Sequence, residues 1–306
     1  MAEVEAVHSL EIGEFQRRFE EPSLPVVIRG GARHWRAFGS WSPAYLQQRL
    51  GDIDLPHKVS TSNQHPNFLA ASLKETFARD TLPLSAFFEA ITQGDLEQRA
   101  RRLFTGDERF LVQRRNGLTH TDEALAPLLE DLEQPGYFAA ERLYTVWAWF
   151  SGQGVRTWLH YDNNGCHNLN AQITGRKSCV LFPPSELEAM QPFVLGGPNP
   201  AHNCSALDID APEVTATLAS VSRFEAEIEA GDLLFIPAHW FHSFLHSGQF
   251  NSNVNFWWQP DRPASNAVTI RQGFLDAVVR SGIDARTPSP ARDLLSQLDR
   301  SLIQGH

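Results

Sequence analysis

Between residues 142 and 260 the chain breaks into short apolar or alternating runs separated by Gly, Pro and Asn: RLYTVWAWF, TWLHYD, NLNAQI, KSCVLFPP, EAEIEAGD, LLFIPA, SFLHS and NSNVNFWW. Runs this short, rich in β-branched and aromatic residues and punctuated by turn formers, predict an antiparallel sandwich or barrel. The first 140 residues mix isolated strands with short helices. PVVIRGG (25–31) reads as a buried strand ending in a glycine turn. SPAYLQQRL (42–50) reads as a helix with Ser42 at the cap and Pro43 in the first turn. LSAFFEAI (84–91) and DEALAPLLEDL (122–132) carry helical spacing. After Pro260 the period turns helical again: Ala267, Ile270, Phe274 and Val278 share one face, as do Leu294, Leu298 and Leu302, and Ser289-Pro290 starts the second helix. The expected fold is therefore mainly β with flanking helices. It comprises one domain over 1–260 with its β core at about 142–260, and a helical appendage over 261–306. That helical pair suits a cap on the domain or a homodimer interface equally.

With 306 residues and 42% hydrophobic content the chain can bury a sizeable core. The longest apolar runs, LYTVWAWF (143–150) and LLFIPA (233–238), fall far short of the roughly 20 residues of a membrane helix. The N-terminus is acidic and lacks the basic and apolar regions of a secretory signal. Three cysteines, Cys166, Cys179 and Cys204, with no CxxC pair, argue against a disulfide framework or a thiolate zinc site. A soluble, cytoplasmic protein is expected. The formal net charge of −10 disfavours a nucleic-acid footprint, since phosphate affinity comes from clustered Lys and Arg. The locally basic QRARRLF and the QRR at 113–115 read as a solvated helix and strand edge.

The candidate chemistry sits in TWLHYDNNGCHNLNAQITGRK (157–177). In a strand, residues two apart face the same side, so His160 and Asp162 can offer two ligands to one ion. The third ligand must come from downstream, where His167, His202, His239, His242 and His246 are available. His242, which follows Trp240-Phe241 at the start of a return strand, is the choice. Two histidines and a carboxylate leave coordination positions open, which suits a non-haem Fe(II) oxygenase better than a closed zinc site.

The surrounding run sharpens this. From about residue 22 to 258 the chain resembles the JmjC and cupin-like family of Fe(II)/2-oxoglutarate oxygenases, particularly its factor-inhibiting-HIF branch. The shared segments occur in order: Thr157-Trp158-Leu159-His160-Tyr161-Asp162, Asn168, Gln172-Ile173-Thr174-Gly175-Arg176-Lys177, LFPP (181–184), GDLLFIP (231–237), Trp240-Phe241-His242 and Asn255-Phe256-Trp257. SALDIDAP (205–212) also looks like the family's linker. The resemblance implies a double-stranded β-helix, a jelly-roll core of two facing sheets. It also implies His160, Asp162 and His242 as iron ligands, and 2-oxoglutarate as co-substrate with O2. Lys177 would hold the distal carboxylate of 2-oxoglutarate, assisted by Thr157 and the amide of Asn168. Asn255 and Trp257, of one strand parity, would line the same cavity.

Two departures matter. NNGCH, between Asp162 and Asn168, is two residues longer than in the asparaginyl hydroxylase, so substrate identity does not transfer. The family often supplies a tyrosine to the distal carboxylate, where ERFLVQ (108–113) offers Leu111; Tyr144 or another group must replace it. Cys166 and His167 read as loop surface, and His239 as a residue of the pocket mouth or solvent. PVVIRGG, residues 57–68 and the 163–167 loop are expected as walls of the entrance.

The implied reaction is hydroxylation of a C–H bond, because related halogenases lack the carboxylate at Asp162. A peptide or protein side chain is the first choice of substrate, a free amino acid or natural-product intermediate the second, and an RNA base the third. The rivals are a non-catalytic metal-binding cupin, which has no need of a buried cation opposite the metal, and a Mn, Ni or Zn cupin enzyme. The latter commonly adds histidines, and no second HxH pattern occurs in 142–260.

Overall fold

The computed structural model describes residues 2–60, 77–94, 102–104, 111–115, 118–162, 165–192, 203–205 and 207–261. The helical face expected over 262–306 lies outside the described residues, as does His202. The outer strands are β1 (Ala2–Glu3), β2 (Glu5–Val7), β3 (Val26–Ile28), β4 (Asp54–Ser60), β5 (Phe77–Pro83), β6 (Arg102–Phe104), β7 (Val112–Arg115) and β8 (Leu118–His120). The core strands are β9 (Leu143–Gly152), β10 (His167–Thr174), β11 (Arg176–Phe182), β12 (Phe224–Glu229), β13 (Leu233–Ile236), β14 (Phe241–His246) and β15 (Phe250–Trp258). They form an eight-stranded sheet, β2-β3-β13-β10-β15-β9-β7-β8, a four-stranded sheet, β1-β12-β11-β14, and a small sheet, β5-β4-β6. All pairings among β9–β15 are antiparallel. The chain is mainly β. No helix among the described residues is long and apolar enough to cross a membrane.

Strand parity explains how a polar site arises in a buried place. β10 and β15 are buried almost throughout, yet their two faces differ in chemistry. Leu169, Ala171 and Ile173 on β10, with Ser252, Val254, Phe256 and Trp258 on β15, turn outward from the barrel, and the apolar ones among them join the largest core cluster. That cluster also takes Phe15, Trp35, Phe88 and Phe150 from the N-terminal elements and β9. Phe138 stacks on Trp258 at 4.5 Å and 11°, and Phe88 meets Phe150 edge-on at 5.7 Å. The opposite faces carry Asn168, Asn170 and Gln172 and Asn251, Asn253, Asn255 and Trp257.

The N-terminal elements brace the outer face. Ser42 Oγ accepts from Tyr45 N at the start of the helix Pro43–Leu50. The buried Asp131 carboxylate accepts from Trp41 Nε1 at 3.0 Å and from Tyr45 Oη at 2.9 Å. The expected helix over 122–132 is instead a turn followed by a 3-10 helix, Ala126–Asp131. Pro127 has no N–H to give an α-helical bond, and the Leu125 and Ala126 amides share the Asp122 carbonyl. PVVIRGG does form strand β3, with Gly30 at φ +70°. It packs against β13 and into the core clusters and is not among the residues that line the cavity described below.

Gly175 turns β10 into β11. Its φ is +83°, and a Cβ there would lie 2.2 Å from Asn251 Oδ1 and 2.7 Å from the Phe250 carbonyl oxygen. Gly175→Ala is expected to lower stability by at least about 2 kcal/mol, combining a left-handed backbone with a clash against backbone. The urea midpoint checks this; an unchanged midpoint contradicts it.

Candidate metal centre

TWLHYD does not form a regular strand. It is held by isolated bridges instead, Arg156 to Leu245 and His160 to both His242 and Cys204. His160 N donates to the His242 carbonyl at 3.1 Å, and His242 N returns the bond at 2.7 Å. Thr157 N bonds the Phe244 carbonyl, and Ser205 N bonds Leu159. Leu159 and Tyr161 sink into an apolar cluster with Phe182, Met190, Leu207 and Phe241, so His160 and Asp162 turn to the other side.

The two imidazoles lie with ring centroids 4.4 Å apart. His160 Nδ1 is 2.9 Å from the Trp158 carbonyl, and His242 Nδ1 is 2.9 Å from the Trp240 carbonyl. A carbonyl can only accept, so each Nδ1 is a donor and each Nε2 is left as the atom available to a metal. Asp162 Oδ2 accepts from Trp257 Nε1 and from Asn168 Nδ2, both at 2.8 Å. Its Oδ1 lies 3.9 Å from His160 Nε2. Burial pushes the Asp162 carboxyl up, but the His242 and His160 imidazoles and these two hydrogen bonds outweigh it and hold the group below the usual carboxylate value. One ligand atom from each of His160, Asp162 and His242 lies within 4.8 Å of the others, and no other such group exists among the described residues. Two imidazole nitrogens and one carboxylate oxygen fit a divalent first-row ion with positions to spare.

These side chains open into a cavity of about 520 Å³ that is also lined by Thr157, Lys177, Trp147, Trp149, Phe244, His246, Asn253, Asn255 and Trp257. Lys177 is not an exposed hairpin lysine. Its neighbour Arg176 is exposed and pairs with Glu229 at 2.9 Å, whereas Lys177 is 2% exposed. Its ammonium donates to Asn253 Oδ1 and lies 5.2 Å from the centre of the Phe244 ring. From there a chain of amides crosses the cavity. Asn253 Nδ2 donates to Asn255 Oδ1 (2.6 Å), Asn255 Nδ2 to Asn168 Oδ1 (2.8 Å), and Asn168 Nδ2 to Asp162. Each amide accepts on one side and donates on the other, so the direction of every bond runs from the cation to the carboxylate.

The structure brings His160, Asp162 and His242 together, and puts Thr157, Lys177, Asn168, Asn255 and Trp257 on the same cavity. Asn168 and Trp257, expected near the co-substrate, also hold Asp162. Thr157 Oγ1 accepts from Phe244 N at 2.8 Å, which fixes a residue of the wrong strand parity on the cavity wall. Other expectations fail. Cys166 and His167 are 1% and 2% exposed, because His167 begins β10 with its ring against Phe235 and Trp258 and its Nδ1 accepting from Ala238 N. His239 is buried against Tyr161 at φ +65°, and it lines no part of the cavity. Leu111 is buried in the main core. Sequence reasoning missed Asn253, Trp147 and Trp149, and weighed His246 only as a metal ligand. The alternation Asn251, Asn253, Asn255, Trp257 was the available signal for the first of these.

A family model for the cupin-like domain matches residues 13–263. The chain belongs to the cupin-like domain family. It is 26% identical to lysine-specific demethylase JMJ31 of Arabidopsis thaliana, over 97% of this chain and 57% of that protein. It is 30% identical to human tRNA wybutosine-synthesizing protein 5, over 80% of this chain and 74% of that protein. It is 26% identical to lysine-specific demethylase 8 of Xenopus tropicalis, over 82% and 52%. The chain thus spans little more than half the length of the two demethylases. Membership in the cupin-like family bears out the resemblance read from the motif series between Thr157 and Trp257.

Two outcomes follow. Trp257→Phe removes a hydrogen bond from Asp162 and is expected to weaken Mn(II) binding about tenfold, measured by titration under electron paramagnetic resonance; unchanged affinity contradicts it. Burial lowers the Lys177 amine from its ordinary 10.5 to about 7. Between those values the unfolded chain binds more protons than the folded one, so stability rises with pH there, and the full cost of the buried charge is felt below pH 7. Lys177→Met is therefore expected to raise the melting temperature of the ligand-free protein at pH 6, with the gain shrinking towards pH 10. A gain that does not vary with pH contradicts this.

Proposed function

We propose that this protein is an Fe(II)- and 2-oxoglutarate-dependent oxygenase that hydroxylates a C–H bond of a peptide or protein side chain. The observation that carries the reading is the ammonium of Lys177. It is buried with no carboxylate partner among the described residues, and it shares one cavity with His160, Asp162 and His242. A buried cation without a counter-charge is costly unless a bound anion supplies it. Iron held by His160, Asp162 and His242 would supply the redox chemistry, with O2 and 2-oxoglutarate consumed to give succinate, carbon dioxide and a hydroxylated substrate.

The chain's own part is binding, orientation and exclusion of water. Lys177 holds the distal carboxylate of the co-substrate at one end of the cavity. Asn168 and Trp257 fix Asp162 by its Oδ2, which leaves Oδ1 for the metal. The Nδ1–H bonds of His160 and His242 to Trp158 and Trp240 hold both rings with Nε2 forward. Trp147 and Trp149, whose rings lie 5.3 Å apart, give the cavity an aromatic wall that runs from Trp257 towards the Lys177 end.

A protein or peptide is favoured over a tRNA because a net charge of −10 opposes a polyanion, although one relative's name refers to tRNA. The names of the two demethylases refer to lysine, and a basic segment suits an acidic surface. Three free, buried cysteines accord with a reducing cytoplasm.

The test is succinate formation from 2-oxoglutarate with Fe(II), alongside a screen of peptides, amino acids and tRNA for the gain of one oxygen atom. Wild type is expected to turn over. His160→Ala is expected to lose turnover entirely, and Lys177→Ala to raise the KM for 2-oxoglutarate at least about tenfold. Turnover surviving in His160→Ala, or no anaerobic binding of 2-oxoglutarate to wild type, sinks the reading.

A further inference from the structure

The register of the strands fixes which residues can reach the Lys177 end of the cavity. Asn253 opposes Trp149 and Asn255 opposes Trp147, whereas Trp257 opposes Thr145 beside Asp162. Tyr144 is therefore about five residues, or roughly 16 Å at about 3.3 Å per residue, from the level of Trp149. It sits at the metal end and cannot stand in for the tyrosine that other members of the family often supply. Leu111 is buried in the main core and offers no donor.

His246 does reach. It is the register partner of Lys177 across β11 and β14, and both side chains are 2% exposed. Its backbone is pinned to the 154–155 stretch, His246 N donating to Val155 O at 2.9 Å and His246 O accepting from Gly154 N at 2.8 Å. Its ring Nδ1 is hydrogen-bonded to Ser151 Oγ, on β9. Ser151 does not line the cavity and His246 does, so the ring is tethered from behind and its Nε2 edge faces the ligand space. Burial and the neighbouring Lys177 hold the ring well below its ordinary value, so it is neutral. A neutral imidazole that accepts a proton bond at Nδ1 carries its own proton at Nε2. The serine hydroxyl can supply that bond.

We propose that His246, with its tautomer set by Ser151, is a further donor to the distal carboxylate of the dicarboxylic co-substrate, beside Lys177. This rests on the oxygenase reading above. The anion would take one N–H from the imidazole and one or two from the ammonium, whose remaining proton stays on Asn253 Oδ1. His246 then discriminates between keto acids that have a distal carboxylate and those that lack one.

The experiment is an anaerobic titration of the Mn(II)-loaded protein with 2-oxoglutarate and with pyruvate, which keeps the keto-acid end and lacks the distal carboxylate. Quenching of the tryptophans that line the cavity reads binding without turnover. Wild type is expected to prefer 2-oxoglutarate strongly. His246→Phe is expected to weaken 2-oxoglutarate about tenfold or more while leaving pyruvate within about twofold. His246→Gln, which keeps an N–H donor, is expected to recover part of the loss, and Ser151→Ala to lose less than His246→Phe. Equal weakening of both keto acids, or 2-oxoglutarate binding unchanged in both His246→Phe and Ser151→Ala, overturns the proposal. Wild type that binds 2-oxoglutarate while these variants do too sinks the role of His246 alone; wild type that binds neither keto acid sinks the oxygenase reading itself.

Discussion

One buried positive charge organises the cavity. The Lys177 ammonium lies between the two sheets, where removing it from water carries a large cost, and the protein meets that cost with a row of amides rather than with a carboxylate. Asn253, Asn255 and Asn168 run from the cation to Asp162, and each oxygen accepts from the donor before it. Because every bond points the same way, the positive end and the carboxylate end are electrostatically matched. The remaining attraction of the cation is left for something that enters the cavity.

The outer packing makes such an interior possible. β10 and β15 have their apolar positions on the outside of the barrel, against the aromatic residues of the N-terminal elements, and so free their inner faces for polar side chains. On the far side, Leu234 and Ile236 of β13 meet Cys179, Leu181 and Ile228 and fill the barrel with apolar side chains. The cavity is thus confined to the part of the barrel between β9, β15, β10, β14 and the Lys177 end of β11. Gly175 places Lys177 there by turning the chain within van der Waals reach of Phe250 and Asn251.

Much of this could be read in the sequence, for identifiable reasons. Each core strand coincides with a short apolar or alternating run, because a strand buried on both faces reads as a short apolar run and one with an exposed face imprints a period of two. The HxD pair, Lys177 and His242 stood out because the motif series around them is long and ordered. What failed was long-range. Cys166-His167 looked like loop surface because nothing local shows that Phe235 and Trp258 cover the ring. His239 and PVVIRGG were assigned to the mouth for the same reason. The proline in the 122–132 segment was a local signal against an α-helix, outweighed by the leucine spacing. His246 and Ser151 are ninety-five positions apart, and no periodicity joins them.

The most direct measurement is a diffraction structure of crystals grown without oxygen in the presence of Fe(II) and 2-oxoglutarate. The account predicts one metal ion touching His160 Nε2, Asp162 Oδ1 and His242 Nε2, and a dicarboxylate whose far end meets the Lys177 ammonium. A metal bound at other side chains, or a dicarboxylate lying outside the cavity with Lys177 still hydrogen-bonded only to Asn253, would contradict it.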